Sequence, residues 1–434
     1  MADLSCVFAG IRSPNPFWLA SAPPTDKESN VNRAFEAGWG GVVWKTLGED
    51  PPVVNVNGPR YASLLSQDRR VIGFNNIELI SDRPLGVNLA EIRRVKRAWP
   101  DRAVLVSLMV PLVETAWQTM LAKVEDVGAD GIELNFGCPH GMSERGMGSA
   151  IGQVPDYIQR VTEWCKRHSR LPTIVKLTPN ITDIRTAARA ARAGGADAVS
   201  LINTINSIIG VDLERMVMAP SIDGAGSHGG YCGPAVKPIA LNMVAEIARD
   251  AQTNDLPISG IGGITDWRDA AEFIALGCGS VQICTAAMVY GFKIIDDLCD
   301  GLANFMDRKG FRSIADFRGG AVATVKNWQA LNLNHVEKAV IDQDRCIKCG
   351  RCHIVCEDSA HQAITASKSG QRHFEVREED CVGCNLCVSI CPVPDTITMR
   401  ALQPGEIDRR TGLTVSGDYA NWTSSPNNPL RTGA

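Results

Sequence analysis

The 434-residue chain lacks any apolar run long enough to cross a bilayer. Its best candidate, Ala103 to Val113, is interrupted by Ser107 and Pro111, and a spanning helix needs ~20 residues. A charge bias is also missing: 44 Lys and Arg against 48 Asp and Glu leave a formal charge of −4. So slight an acidic balance carries no electrostatic footprint for nucleic acid. The first residues, Met1-Ala-Asp-Leu-Ser5, show no basic stretch leading into an apolar one. No secretory signal is therefore expected, and a cytoplasmic location is. The composition of a disordered chain is absent too. Apolar content of 44% and charged content of 21% suffice to build a core. The length allows two or three domains.

Cysteine is sparse over most of the chain and crowded in one place. Eight of the fifteen lie between Cys346 and Cys391, and the other 388 residues hold seven. Without a secretion signal, such crowding points to metal rather than to disulfides. Cys346, Cys349, Cys352 and Cys356 read C-x2-C-x2-C-x3-C. Cys381, Cys384, Cys387 and Cys391 repeat the pattern 35 residues on, with Pro392 behind. This is an internal duplication. Zinc sites usually take cysteines in two pairs. Three cysteines two residues apart, with a fourth that ligates the other cluster, is the bacterial two-cluster ferredoxin spacing. One [4Fe–4S] cluster is expected on Cys346, Cys349, Cys352 and Cys391. The other is expected on Cys381, Cys384, Cys387 and Cys356. Crossed ligation holds two cubanes close, which suits electron relay. Glu357 replaces the proline after the first run, a turn feature rather than a ligand. His353, His361 and His373 are assigned nothing.

The first 310 residues have a different rhythm. Eight short, near-continuously apolar runs recur: Phe17–Ala22, Gly41–Thr46, Val104–Met109, Gly131–Phe136, Thr173–Thr178, Ala198–Asn203, Pro257–Ile261 and Ser280–Thr285. Runs of this kind are expected for parallel strands covered on both faces. Helix-like segments lie between most of them. Asp183 and Asp266 each open one, and Gly194 and Gly277 close them. Glycine also sits at the joints Ala37-Gly38, Val127-Gly128, Ala193-Gly194 and Leu276-Gly277, each before a strand. Eight βα units in this length predict a (β/α)8 barrel, with a doubly wound sheet as the alternative. The expected organisation is a barrel over 1–310, a linker over 311–335, a small α+β ferredoxin-like module over 336–402 and a tail over 403–434. The linker is read as packing on the barrel rather than floating. For the tail, disorder and a subunit-contact arm both stand open.

Active sites of such barrels lie at the C-terminal strand ends. The runs end in Trp44-Lys45-Thr46, Asn135-Phe-Gly-Cys138-Pro-His140, Lys176-Leu-Thr-Pro, Asn203-Thr204, Gly260-Ile-Gly262-Gly263 and Cys284-Thr285. Gly262-Gly263 and Cys284-Thr285 follow strands seven and eight, where this fold commonly binds phosphate. A plain tight turn is the alternative reading of the Gly-Gly pair.

These strand-end motifs resemble those of the dihydroorotate dehydrogenase-like flavoproteins. The paired ferredoxin runs narrow the resemblance to the dihydropyrimidine dehydrogenases, and within them to bacterial catalytic subunits, from about residue 3 to about residue 400. The resemblance implies FMN in the barrel. Ser21 and Ala22 would lie under the flavin, with Lys45 and Thr46 against it. Lys176 would sit near its N1–C2 carbonyl edge, where a cation favours the anionic reduced form. Gly230, Gly262, Gly263, Cys284 and Thr285 would cradle the phosphate. Asn76, Asn135, Asn203 and Thr204 would hold the pyrimidine. The implied reaction reduces the C5–C6 double bond of uracil or thymine, with hydride from reduced flavin and a proton from Cys138. A thiol with a pKa of ~8.5 is largely protonated at neutral pH and fits that task. The Gly- and Met-rich segment from Gly137 to Gly148 is expected to move as a lid. Cys6, Cys165, Cys232, Cys278 and Cys299 are expected to be structural, and Cys284 to act through its backbone.

Two positions depart from the family pattern as it stands in eukaryotic members. Gly137 replaces a serine, and the loop after strand three, Val110-Pro-Leu-Val-Glu114, lacks an expected asparagine. Glu114 is the candidate substitute. A nicotinamide site is also missing. Gly224-Ala-Gly226-Ser-His-Gly229 matches the dinucleotide fingerprint in letters. It neither follows a strand nor opens a helix, so it is expected to be a glycine-rich loop beside the flavin. The implied partner is a separate FAD- and NAD(P)-binding iron–sulfur flavoprotein subunit, in a heterotetramer. Electrons would pass from NAD(P)H through FAD and clusters to FMN. Competing readings are an FMN enzyme for another cyclic imide or dihydroorotate-like ring, and an electron-transfer subunit whose barrel is a scaffold.

Overall fold

The structure, a computed structural model, describes residues 2–367, 370 and 372–429. The expectations for residues 430–434 of the tail lie outside them. The chain forms two compact units that divide between Val325 and Lys326.

The first unit is a closed barrel of eight parallel strands. They are β1 (Phe17–Leu19), β2 (Gly41–Leu47), β3 (Ala103–Leu108), β4 (Gly131–Asn135), β5 (Thr173–Lys176), β6 (Ala198–Leu201), β7 (Ile258–Ile261) and β8 (Cys278–Ile283). Each corresponds to one of the eight apolar runs, and every residue in them is buried. The outer layer includes α1 (Glu28–Ala37), α2 (Leu85–Ala98), α3 (Glu114–Asp126), α4 (Pro155–His168), α5 (Ile184–Ala193), α6 (Lys237–Arg249), α7 (Trp267–Ala275) and α8 (Ile294–Lys309). Trp18, Trp39, Trp44 and Trp117 are wholly buried. Truncating one such indole to alanine costs about 3–5 kcal/mol.

Local signals place the elements as expected. Asp183 caps α5 by accepting from Arg185 N, and Asp266 forms a reciprocal capping box with Asp269 at α7. The helix-to-strand joints use left-handed glycines: Gly38 (φ 113°), Gly128 (φ 81°), Gly195 (φ 86°) and Gly277 (φ 112°). At Ala193-Gly-Gly the second glycine, not Gly194, takes the left-handed conformation.

Two features were not legible in the apolar pattern. A hairpin, Cys6–Phe8 with Ile11–Ser13, packs Phe8 and Ile11 against Trp18, Val43, Ala103, Leu105, Ile174 and Ala198. These residues lie toward the strand starts, so the hairpin closes the bottom of the barrel. A four-stranded antiparallel sheet is built from loops after β2 and β6. Its order is Ile205–Ser207, Gly229–Cys232, Val71–Asn76, Tyr61–Leu65.

Residues 311–325 pack on the barrel. Gly319 N and Ala321 N donate to Ile274 O and Ala275 O at the end of α7, both at 2.9 Å. Phe311 and Phe317 stack at 5.3 Å and meet Phe305 of α8.

The second unit pairs β9 (Glu337–Ile341) with β12 (Ile397–Ala401), and β10 (Ile364–Ala366) with β11 (Phe374–Val376). Two short helices, α9 (Arg351–Glu357) and α10 (Leu386–Ile390), complete it. The duplication extends to the backbone. Lys348 (φ 60°) and Gly350 (φ 82°) take left-handed conformations in the first run, and Gly383 (φ 74°) and Asn385 (φ 66°) do so 35 residues on. Beyond β12 a small hairpin pairs Ile407–Asp408 with Leu413–Thr414. Among the described residues no helix is long and apolar enough to cross a membrane.

Candidate active site

A cleft opens at the C-terminal strand ends, walled by polar and apolar side chains from several strands. Its wall takes Ala20 after β1, Lys45 and Thr46 of β2, Asn135 of β4, Lys176 of β5, Ile202 after β6, Ile261 of β7 and Gln282 of β8.

One hydrogen-bonded chain runs across four strand ends. Ser21 Oγ meets Thr46 Oγ1 at 3.1 Å, and Asn135 Nδ2 donates to Thr46 Oγ1 at 2.9 Å. Asn203 Nδ2 donates to Asn135 Oδ1 at 3.0 Å, and Thr204 N to Asn203 Oδ1 at 2.8 Å. Ser107 of β3 anchors the chain from below, 2.9 Å from Thr46 Oγ1. The amides thus have fixed orientations before any ligand arrives, which lowers the ordering cost of binding. Asn76 sits on the antiparallel sheet, where its Nδ2 donates to Gly230 O at 2.9 Å.

Cys138 lies in the same cleft, 9% exposed. Burial pushes its thiol up to about 11, against weaker pulls from the His140 backbone and the Lys176 ammonium. It is therefore a protonated thiol at neutral pH. It packs with Ile80, Met109, Met142 and Met147, the methionines of the glycine-rich segment included. His140 is buried with Nε2 3.0 Å from Glu78 O, and burial lowers its pKa, so its ring is neutral.

Two carboxylates that the strand-end motifs did not reveal shape the charge of the cleft. Glu78 holds Lys45 Nζ at 2.8 Å and Arg60 Nη1 at 3.2 Å. Its signal was its place two residues after Asn76. Glu133 is wholly buried inside the barrel, and its Oε2 accepts from Ser200 Oγ at 2.9 Å and Gln282 Nε2 at 3.2 Å. Its Oε1 has no hydrogen-bond partner and lies 3.5 Å from Lys176 Nζ. Nothing in the sequence marked it, because it sits inside an apolar run.

At the opposite end of the cleft, Gly262 (φ 124°), Gly263 (φ 77°), Cys284 and Thr285 line the wall. A Cβ on Gly263 would stand 2.8 Å from the Lys237 backbone N. The chain here is kept bare beside the start of α6, which suits a phosphate. Three buried polar atoms on the wall lack partners: Gln282 Oε1, Tyr231 Oη and His140 Nδ1. A polar ligand would satisfy such groups. Glycine cradle, buried ammonium and orphaned polar atoms together fit FMN.

Other expected positions fall elsewhere. Gly230 backs the wall rather than lining it, and a Cβ there would stand 2.1 Å from Thr204 Oγ1. Gly233 lines the cleft instead. The Gly224–Gly229 stretch is not part of the lining; it leads into the strand Gly229–Cys232. Glu114 does not reach the cleft, because its carboxylate is taken by Arg167 at 2.7 Å and His168 at 2.9 Å. Cys284 lines the cleft, and burial pushes its thiol up to about 12.

The eight clustered cysteines gather in two groups of four. Cys346, Cys349, Cys352 and Cys391 line one small cavity. Cys356, Cys381, Cys384 and Cys387 line another. Among the described residues no three His, Cys, Asp or Glu side chains converge closely enough for a single metal ion. Four thiolates around a cavity suit a cubane, in which the ligands are divided among the irons. Ala363 N also donates to Cys356 Sγ at 3.3 Å.

A closed parallel barrel followed by a duplicated four-cysteine module has the organisation of an iron–sulfur flavoprotein. Residues 3–306 match the dihydroorotate dehydrogenase family and residues 339–399 the 4Fe–4S dicluster domain. The chain belongs to the dihydroorotate dehydrogenase family and is an oxidoreductase. It is 41% identical over 391 residues to the NAD-dependent dihydropyrimidine dehydrogenase subunit PreA of Escherichia coli K12, covering 90% of this chain and 94% of that protein. It is 43% identical over 326 residues to the chloroplastic dihydropyrimidine dehydrogenase (NADP(+)) of Arabidopsis thaliana, covering 73% and 76%. The catalytic subunit of dihydroorotate dehydrogenase B (NAD(+)) from Pyrococcus horikoshii is 36% identical over 314 residues, covering 72% and 96%.

Proposed function

We propose that the chain is the catalytic subunit of a dihydropyrimidine dehydrogenase that reduces the C5–C6 double bond of uracil or thymine. The observation that carries this reading is the buried, protonated thiol of Cys138 facing a cleft with four pre-oriented polar side chains, Asn76, Asn135, Asn203 and Thr204. FMN, when bound, supplies the hydride. Cys138 holds the proton that C5 receives, and its raised pKa keeps that proton in place across the neutral range. The three amides offer both donors and acceptors, as an imide ring with alternating N–H and C=O groups requires. Ser21, Ala22, Lys45, Thr46 and Lys176 would contact the cofactor ring, and Gly262, Gly263, Cys284 and Thr285 would hold its phosphate. Met142 and Met147 exclude water from the Cys138 side.

A neutral ring is favoured over a carboxylate-bearing one such as dihydroorotate. Both lysines of the lining already face carboxylates: Lys45 pairs with Glu78 at 2.8 Å and Lys176 with Glu133 at 3.5 Å. The name of the Escherichia coli relative marks it as a subunit. In this reading electrons would come from NAD(P)H through a partner FAD- and NAD(P)-binding iron–sulfur flavoprotein in a heterotetramer, and through the two clusters of this chain.

Anaerobic purification with cofactor and substrate analysis tests the reading. About one FMN and eight irons per chain are expected, with turnover of uracil and thymine by a reduced donor. Bound flavin with no turnover of either pyrimidine sinks the substrate assignment. Clusters without flavin leave an electron carrier and remove the role of Cys138.

A further inference from the structure

The two cysteine runs are duplicated in sequence and backbone, yet one of them is met by a buried lysine whose duplicate position holds no lysine. Lys338 of β9 is 2% exposed. Its ammonium donates to Cys381 O at 2.7 Å and to Glu378 O at 3.1 Å. The counter-ion comes from the C-terminal hairpin: Asp408 Oδ1 lies 2.7 Å from Lys338 Nζ, and Asp408 is 4% exposed. Thr411 Oγ1 donates to Asp408 Oδ2 at 2.9 Å, which fixes the carboxylate. The hairpin is held at its flanks by Glu406 on Arg400 at 3.1 Å and by Arg409 on Glu378 at 3.4 Å.

The duplicate position breaks the symmetry. Thirty-five residues after Lys338 stands His373, a residue of the solvent-facing surface whose Nε2 meets Glu375 at 2.9 Å. The first run therefore receives no buried cation from the equivalent place. Both Lys338 and Asp408 also lie outside the stretch that matches the dicluster domain, 339–399.

A buried ion pair of this kind is costly to bring together. Desolvation of two charges is repaid only by close geometry and further hydrogen bonds. Here the geometry aims the cation at the backbone of a cysteine that the proposed function assigns to a cluster, and the inference rests on that assignment. We propose that Lys338 and Asp408 are positioning residues for one cluster alone, the one on Cys356, Cys381, Cys384 and Cys387. The hairpin brings in a carboxylate that keeps the lysine on the Cys381 loop, and the pair gives this cluster a potential different from that of its duplicate. A nearby cation favours the more negative, reduced cluster, and a nearby anion opposes it.

The test is a redox titration of the anaerobically purified full chain, followed by electron paramagnetic resonance, for the wild type, Lys338→Met and Asp408→Asn. Lys338→Met is expected to lower the midpoint of one cluster signal, and Asp408→Asn to raise the midpoint of the same signal. Each shift is expected to reach about tenfold in the reduction equilibrium, or ~59 mV for one electron. The other signal stays where it is. Opposite shifts are the decisive readout, because two variants that merely loosen the unit would both act in the same direction. Unmoved midpoints, equal movement of both clusters, or shifts of the same sign overturn the proposal. If Lys338→Met loses that cluster, Asp408→Asn decides alone. A wild-type chain that binds no iron overturns instead the cluster assignment on which the proposal stands.

Discussion

The barrel and the small unit solve the same problem, holding a redox group, with opposite economies of sequence. The barrel has a large apolar core that includes Trp39, Trp44 and Trp117, and a few of its members, such as Ile202 and Ile283, also line the cleft. The buried core of the small unit is Ala339, Ala363, Ile364, Phe374 and Ile397 together with Cys352, Cys356, Cys381 and Cys387. Nearly half of that core is proposed cluster ligand. The barrel is a scaffold on which a site is placed; in the small unit the site and the core are the same residues. A metal bound only by the folded state contributes its binding energy to folding.

The largest expected effect follows from that difference. Removal of iron under anaerobic conditions is expected to abolish hydrogen-exchange protection over 337–401 while protection of β1 to β8 and bound FMN persist. Exchange measured by mass spectrometry on the whole chain checks this. Protection of β9 and β12 that survives complete loss of iron would break the comparison, since the unit would then have an adequate apolar core.

Next in size is the loss of the proposed acid. Cys138→Ala is expected to lower uracil reduction by about 10²–10⁴-fold, the usual contribution of a positioned proton donor, with FMN and iron contents unchanged. The wild-type pH profile sharpens the assignment. The acid must carry its proton, and burial pushes this thiol up to about 11. Its alkaline loss of activity therefore begins only near pH ~10, well above the ~8.5 of a free thiol. An alkaline limb centred near 8 that disappears in Cys138→Ala would show a solvated thiol and contradict the buried geometry.

The contrast also explains what was legible in the sequence. The cluster run is written locally and twice, so spacing alone sorts eight cysteines into two sets, and the cavities group the same four with four. The barrel cleft draws one or two residues from each strand end. Lys45, Asn135, Lys176 and Asn203 became readable only once the apolar runs had located those ends. Gly230, expected in the phosphate cradle, backs the wall instead, because the antiparallel sheet that carries it leaves no apolar period in Gly- and Asn-rich loops. Glu114 looked available for the cleft, yet it opens α3, where partners on α4 reach it first. The domain-scale elements follow from periodicity and caps. Residues whose role depends on contacts across the barrel do not.

Glu133 is the clearest case of that second kind, and it gives the smallest of these effects. On β4 it is one polar letter in Gly-Ile-Glu-Leu-Asn, two residues before the recognisable Asn135. In space its Oε1 lies 3.5 Å from Lys176 Nζ at the floor of the cleft. Glu133→Gln keeps the volume and the contacts to Ser200 and Gln282 but leaves the ammonium unopposed. With an effective dielectric of about 20, a unit charge roughly 7 Å away is worth about 2 kcal/mol, more than tenfold in an equilibrium. Sulfite, whose addition to flavin is favoured by nearby positive charge, reads this field directly in the absorption spectrum. Glu133→Gln is expected to tighten sulfite binding about tenfold and Lys176→Met to weaken it by a similar factor. A carboxylate that serves only to fill the barrel would leave the sulfite affinity of FMN-loaded Glu133→Gln unchanged, and the barrel floor would then be packing rather than part of the site.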